Sequence, residues 1–153
     1  ESEMSRNVIS ITEFFTALDA PLRNRMWSWG ALTDSTNAVV FRVWDDESEI
    51  INGKLHFRLT KHSLFQGLDA RRTMGYRERL EHIQIAKSMC RAFFVYVIPE
   101  EDQTIQPRTI LGYHDDIVGF CENITVDDQG DYWGEETRRI PPIQYHALKN
   151  SFL

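Results

Sequence analysis

The run Phe93-Phe94-Val95-Tyr96-Val97-Ile98 constrains this chain more than any other feature. Side chains of a strand point alternately to its two faces, so six apolar residues in a row bury both. Pro99 closes the run. It reads as a central strand, and a central strand needs other strands beside it.

The chain supplies them. Ser10-Ile11-Thr12-Glu13 has the form of a capping box, with Ile9 and Phe14 placed for a hydrophobic staple. Ile11, Phe14, Phe15 and Leu18 follow helical spacing, and the helix, about ten residues long, stops before Pro21. Two strands near Met26–Leu32 and Ala38–Trp44 flank the turn formers of residues 33–37 and read as a hairpin. On the second, Val39, Phe41 and Val43 share one face, and Val40, Arg42 and Trp44 the other. Asp45–Glu49 is acidic and reads as a solvated loop. Asn52-Gly53 marks a turn before the alternating strand Lys54–Thr60, which points Leu55, Phe57 and Leu59 inward and His56, Arg58 and Thr60 outward.

Residues 61–75 lack a period and read as a loop carrying Arg71 and Arg72. A second helix follows over Tyr76–Cys90, with Tyr76, Leu80, Ile83 and Cys90 as its stripe and Arg77, Glu78, Glu81 and Gln84 on the remainder. Further strands fall at Thr109–Tyr113, Gly119–Val126 and Gly130–Trp133. Pro141-Pro142 breaks any element, and residues 143–153 form a terminal helix or the start of a linker. The expected class is α+β: a curled antiparallel or mixed sheet, or a small barrel, of about six to seven strands flanked by two or three helices.

A chain of 153 residues with 42% hydrophobic content supports one core, placed here over residues 9–142 after a disordered leader at 1–8. No apolar run approaches the roughly 20 residues of a membrane helix, and the polar N-terminus is no signal peptide, so no membrane partner is expected. Cys90 and Cys121 lack CxxC spacing, which argues against a zinc framework and for buried, reduced thiols in a cytoplasmic protein. Asn123-Ile124-Thr125 matches a glycosylation pattern, but no secretory signal accompanies it.

The net charge of -6 disfavours a general nucleic-acid binder. Its distribution does not. Residues 21–91 carry 12 basic and 8 acidic side chains, whereas residues 99–136 carry one Arg and 11 acidic ones. Such a molecule can turn a basic face to phosphates and its acidic part away.

Trp27 and Trp29 point to one face of a strand, as two walls of a slot or as two pieces of core. Trp44 shares a face with Arg42, which suits a nucleic-acid surface or a covered sheet edge. Tyr132-Trp133 is an interfacial pair or core, and His56 with Arg58 a phosphate contact or plain surface. His114-Asp115-Asp116 begins a metal site or is a solvated turn. No glycine-rich phosphate loop or paired catalytic carboxylates stand out, so no catalytic residue, metal or cofactor is assigned.

Ala20-Pro21-Leu22-Arg23-Asn24, Trp27-Ser28-Trp29-Gly30-Ala31, Phe41-Arg42-Val43-Trp44 and Gly75-Tyr76-Arg77-Glu78-Arg79-Leu80 together resemble the N-terminal part of the EVE-HNH modification-dependent restriction endonucleases, over most of residues 9–100. The resemblance implies a PUA-like barrel of the EVE type that reads 5-methyl- or 5-hydroxymethylcytosine in double-stranded DNA by flipping the base into an aromatic pocket. Candidate base-binding residues are then Trp27, Ser28, Trp29, Phe41 and Trp44, and candidate backbone contacts Arg23, Arg25, Arg42, Arg71 and Arg72. No HNH pattern is found in the sequence, so the implied nuclease belongs to another domain or subunit and this chain is not itself an enzyme. The rival readings are a PUA-like domain for RNA or a modified nucleoside, a protein-interaction domain using acidic residues 99–136, and a metal-dependent enzyme using His114 and Asp116.

Overall fold

The computed structural model describes residues 7–24, 28–34, 38–61, 74–89, 91–100 and 110–150. In chain order the elements are α1 (Ile11–Ala17), β1 (Gly30–Leu32), β2 (Val39–Trp44), β3 (Ser48–Ile51), β4 (Lys54–Arg58), α2 (Met74–Met89), β5 (Ala92–Pro99), β6 (Ile110–Tyr113), β7 (Val118–Val126), β8 (Tyr132–Ile140) and α3 (Pro142–Asn150). The class is α+β. Eight strands form one mixed sheet in the order β1-β2-β5-β7-β8-β4-β3, with β6 paired to β5 off this path. The sheet ends at β1 and β3 and does not close into a barrel.

The apolar run is the centre, as its composition requires. β5 runs parallel to β2, with Phe41 opposite Phe94, and antiparallel to β7, with Phe93 opposite Phe120. Beyond β7, its far end pairs with β6. Alternation then sorts the core into two layers. Val40, Phe93, Val95 and Val97 join Phe14, Phe15 and Leu18 of the α1 region, Tyr113 of β6 and Tyr145 of α3. Val39, Phe41, Val43, Phe94 and Tyr96 join Phe57, Leu59, and Ile83 and Ala86 of α2. Each fully buried aromatic or aliphatic side chain stabilises by about 1.5–3 kcal/mol.

The local signals explain the element ends. Glu13 N–H donates to Ser10 Oγ at 3.1 Å and Ser10 N–H to Glu13 Oε1 at 3.0 Å, closing the capping box. Asp19 turns left-handed at φ 64° and ends α1 before Pro21. Asn52 and Gly53 have φ of 53° and 78°, the signature of the tight β3–β4 hairpin turn. Pro142 opens α3, where its fixed φ suits the first helical position and its missing N–H is not needed.

Several expectations are revised. Ser48 and Glu49 belong to β3 rather than to an acidic loop; on an edge strand their side chains reach water. Met74 and Gly75 belong to α2, while residues 62–73 lie outside the described residues. β8 runs to Ile140, well past Trp133. Charged residues carry the extension: Glu135 meets Asn123 and Lys54, and Glu136 meets Arg139 and Tyr96. The outward face of β4 is also covered: His56 and Thr60 are buried, and Arg58 lies 4.4 Å over the Trp133 ring while pairing with Asp131 at 2.9 Å. At the start of the described residues, Asn7 exchanges hydrogen bonds with the Tyr113 backbone at 2.9 and 3.0 Å, and residues 1–6 of the expected leader lie outside the described residues. Among the described residues no helix is long and apolar enough to cross a membrane.

Candidate functional site

The helix α2 packs on the sheet with an unexpected face. Its buried positions are Gly75, Glu78, Arg79, His82, Ile83 and Ala86. Tyr76 and Leu80, expected on the stripe, are only partly buried, and Cys90 lies outside the described residues. The spacing 79, 82, 83, 86 is a regular helical face. Its first two members are polar, so a search for apolar periodicity passes over it.

Opposite this face lies the segment leading into β1. Ser28 closes back on Asn24: its N–H donates to the Asn24 carbonyl at 2.8 Å, and its hydroxyl accepts from the Asn24 N–H at 3.0 Å. The same hydroxyl hydrogen-bonds the Glu78 carboxyl. Arg79 Nη2 donates to the Trp29 carbonyl at 2.9 Å and to the Arg42 carbonyl. Its guanidinium carbon stands 5.6 Å from the Trp29 ring and 5.1 Å from the Phe41 ring, within range of a cation–π contact to each. Ser28 is buried and Trp29 partly exposed, so Trp29 marks the boundary of the cluster with solvent.

The electrostatics are unusual for an interior. Burial, then repulsion from Arg42, holds the Arg79 guanidinium well below arginine's usual value, to about 9. Burial alone brings Arg42 to about 10. Both remain charged at neutral pH. Burial, then Arg79 and Arg23, lowers His82 to about 4, so its ring is neutral. Glu78 is raised by burial, against the opposing pull of Ser28, Arg23 and Arg79. The Glu78 carboxyl therefore lies near two guanidinium groups, Arg23 and Arg79, and near a second carboxyl, Glu81. Among the described residues Glu78 Oε1, Arg79 Nε and Nη1, and His82 Nδ1 are sealed from water and lack any hydrogen-bond partner. A buried polar atom left unpaired costs about 1–3 kcal/mol, more when charged.

The structure thus brings Arg23, Ser28, Trp29 and the Arg42 backbone to one place, around Glu78, Arg79 and His82, which the sequence reading did not nominate. Phe41 lies beneath them, wholly buried, as core rather than as an open wall. Trp44 is on the opposite face of β2, packed against the α1 layer. Arg25, Trp27, Arg71 and Arg72 lie outside the described residues.

Other candidates resolve differently. His114 Nε2 lies 2.9 Å from Asp45 Oδ2, and Asp115 accepts from Asn7 at 3.0 Å, so this cluster fastens loops. No group of three or more metal-binding side chains occurs among the described residues. Trp133 is buried, with Nε1 donating to Asp127 at 2.9 Å. Burial raises the Cys121 thiol, with Glu135 adding to it, which makes it a poor nucleophile. A cavity of about 210 Å³ lies between Ala86 and Lys87 near the end of α2 and Cys121 and Asn123 on β7. Trp29 does not line it. No protein-family model, curated protein or solved structure matches this chain.

Proposed function

We propose that this chain is a DNA-reading domain that recognises a modified cytosine by base flipping and serves as the specificity module for a nuclease carried on another domain or subunit. One observation carries the reading: the buried Arg79 guanidinium, with exposed Arg23 near it, stands beside Glu78 at a partly exposed indole. Arginines at such a margin favour a polyanion, and the indole beside them offers a flat face to a base leaving the stack. The basic and acidic halves of the chain fit this, because the acidic segment is partly consumed by internal pairs such as Arg58–Asp131 and Arg139–Glu136. The EVE-type resemblance of residues 9–100 points the same way.

The test is a fluorescence titration with matched duplexes that differ only in one 5-methyl- or 5-hydroxymethylcytosine. The modified duplex is expected to bind at least tenfold tighter, with affinity falling steeply as salt rises. Substituting Arg23 by Gln should weaken binding to all sequences and reduce the salt slope by about one. Equal affinity for modified and plain duplex removes the reading, and tighter binding of single-stranded RNA would replace it with the RNA alternative.

A further inference from the structure

Glu78, Arg79 and His82 occupy positions i, i+1 and i+4 of α2, so their side chains gather on adjoining parts of one helix face. All three are more than nine-tenths buried, at 6%, 3% and 7% exposure. Each keeps at least one polar atom without a partner among the described residues. Buried polar groups are nearly always paired, so several unpaired ones together call for a missing complement. Arg79 offers donors only, Glu78 as a carboxylate accepts only, and the neutral His82 ring does either according to its tautomer. A simple anion would meet the Glu78 carboxylate, and an apolar ligand would leave the Arg79 donors bare. The complement must carry an N–H donor and acceptors on one compact edge.

We infer that Glu78, Arg79 and His82 bind the hydrogen-bonding edge of a cytosine-type ring, Glu78 accepting from its exocyclic amino group and Arg79 donating to its ring nitrogen or carbonyl oxygen. This rests on the base-reading function proposed above and adds to it the residues that identify the base. Trp29, at the margin of the same cluster and against the Arg79 guanidinium, supplies the stacking face. A thymine-type ring presents a carbonyl where cytosine presents the amino group, so it sets an acceptor against Glu78 and is disfavoured.

The probe is the free nucleoside, which removes the energetics of flipping from the comparison. 5-Methyl-2′-deoxycytidine and thymidine share the ring methyl and differ in this edge. In an NMR titration followed at the tryptophan indole N–H signals, the cytosine nucleoside is expected to bind at least tenfold tighter. Glu78→Leu, checked for folding by its thermal transition, should reduce that ratio to within threefold. Glu78→Gln, which retains a carbonyl acceptor, should recover part of it. Thymidine binding as well as the cytosine nucleoside, neither nucleoside binding, or an undiminished preference in Glu78→Leu each overturns the inference. If the duplex titration shows no preference for modified DNA while the nucleosides are discriminated, the DNA reading falls and this edge assignment stands. If the duplex preference holds and Glu78→Leu leaves base choice intact, only the edge assignment falls.

Discussion

The two faces of the central sheet are built on opposite principles. On the α1 and α3 side, Phe14, Phe15, Leu18, Phe93 and Tyr145 close over one another, and the polar atom of Tyr145 is spent on the Leu18 carbonyl at 2.8 Å. On the α2 side, Ile83, Phe41 and Phe94 pack as well, but Glu78, Arg79 and His82 are buried among them with atoms unpaired. The first face spends its burial on stability. The second gives some stability up, and buried groups that do not stabilise are where a function is expected.

The contrast can be broken by substitution. Phe93→Ala, at the heart of the apolar face, should cost about 3–5 kcal/mol in a urea titration; a loss under 1 kcal/mol would mean that this face is not the main source of stability. His82 gives the next largest effect. Its folded value of about 4 lies below the usual 6.5, so between these the unfolded chain binds a proton that the folded chain refuses. Stability should therefore fall as pH drops from 6.5 towards 4, by about 3 kcal/mol in all. His82→Gln should remove that fall, seen as a smaller difference between urea midpoints at pH 7 and pH 4. Comparing variant with wild type also cancels the contribution of Glu78, which runs in the opposite direction because its value is raised.

Gly119 tests the α2-side layer without touching its charges. A Cβ there would fall 1.7 Å from the Tyr96 hydroxyl, which passes over this glycine to reach Glu136. Gly119→Ala should cost about 1–3 kcal/mol by overpacking, read as a lowered thermal midpoint.

What the sequence made legible was whatever follows from local period and turn chemistry. The Phe93–Ile98 run, the Ser10 capping box, the Asn52-Gly53 turn and the face pattern of β2 all appear where their physics places them. The polar half of β8 was not legible, because Glu135 and Glu136 meet Asn123 and Tyr96 only across the sheet. The site was half legible. Trp29 stood out by residue type, and Ser28 and Arg23 through the EVE-type resemblance, but Glu78 read as decoration of its helix and Arg79 and His82 drew no role. Only the docking of α2 turned them inward, and an inward-facing arginine has no signature in a single sequence. The low apolar content of the 79–82–83–86 face was the one available hint.

The parallel pairing of β2 with β5 bears on how this molecule assembles. The two strands that anchor both core layers are separated in the chain by β3, β4 and α2. No hairpin can zip them together, and a large loop must be closed before either gains its neighbour. Refolding should accordingly proceed on the slow, millisecond-to-second scale of high contact order, with the β3–β4 hairpin and the capped first helix taking shape well before the middle of the sheet exists.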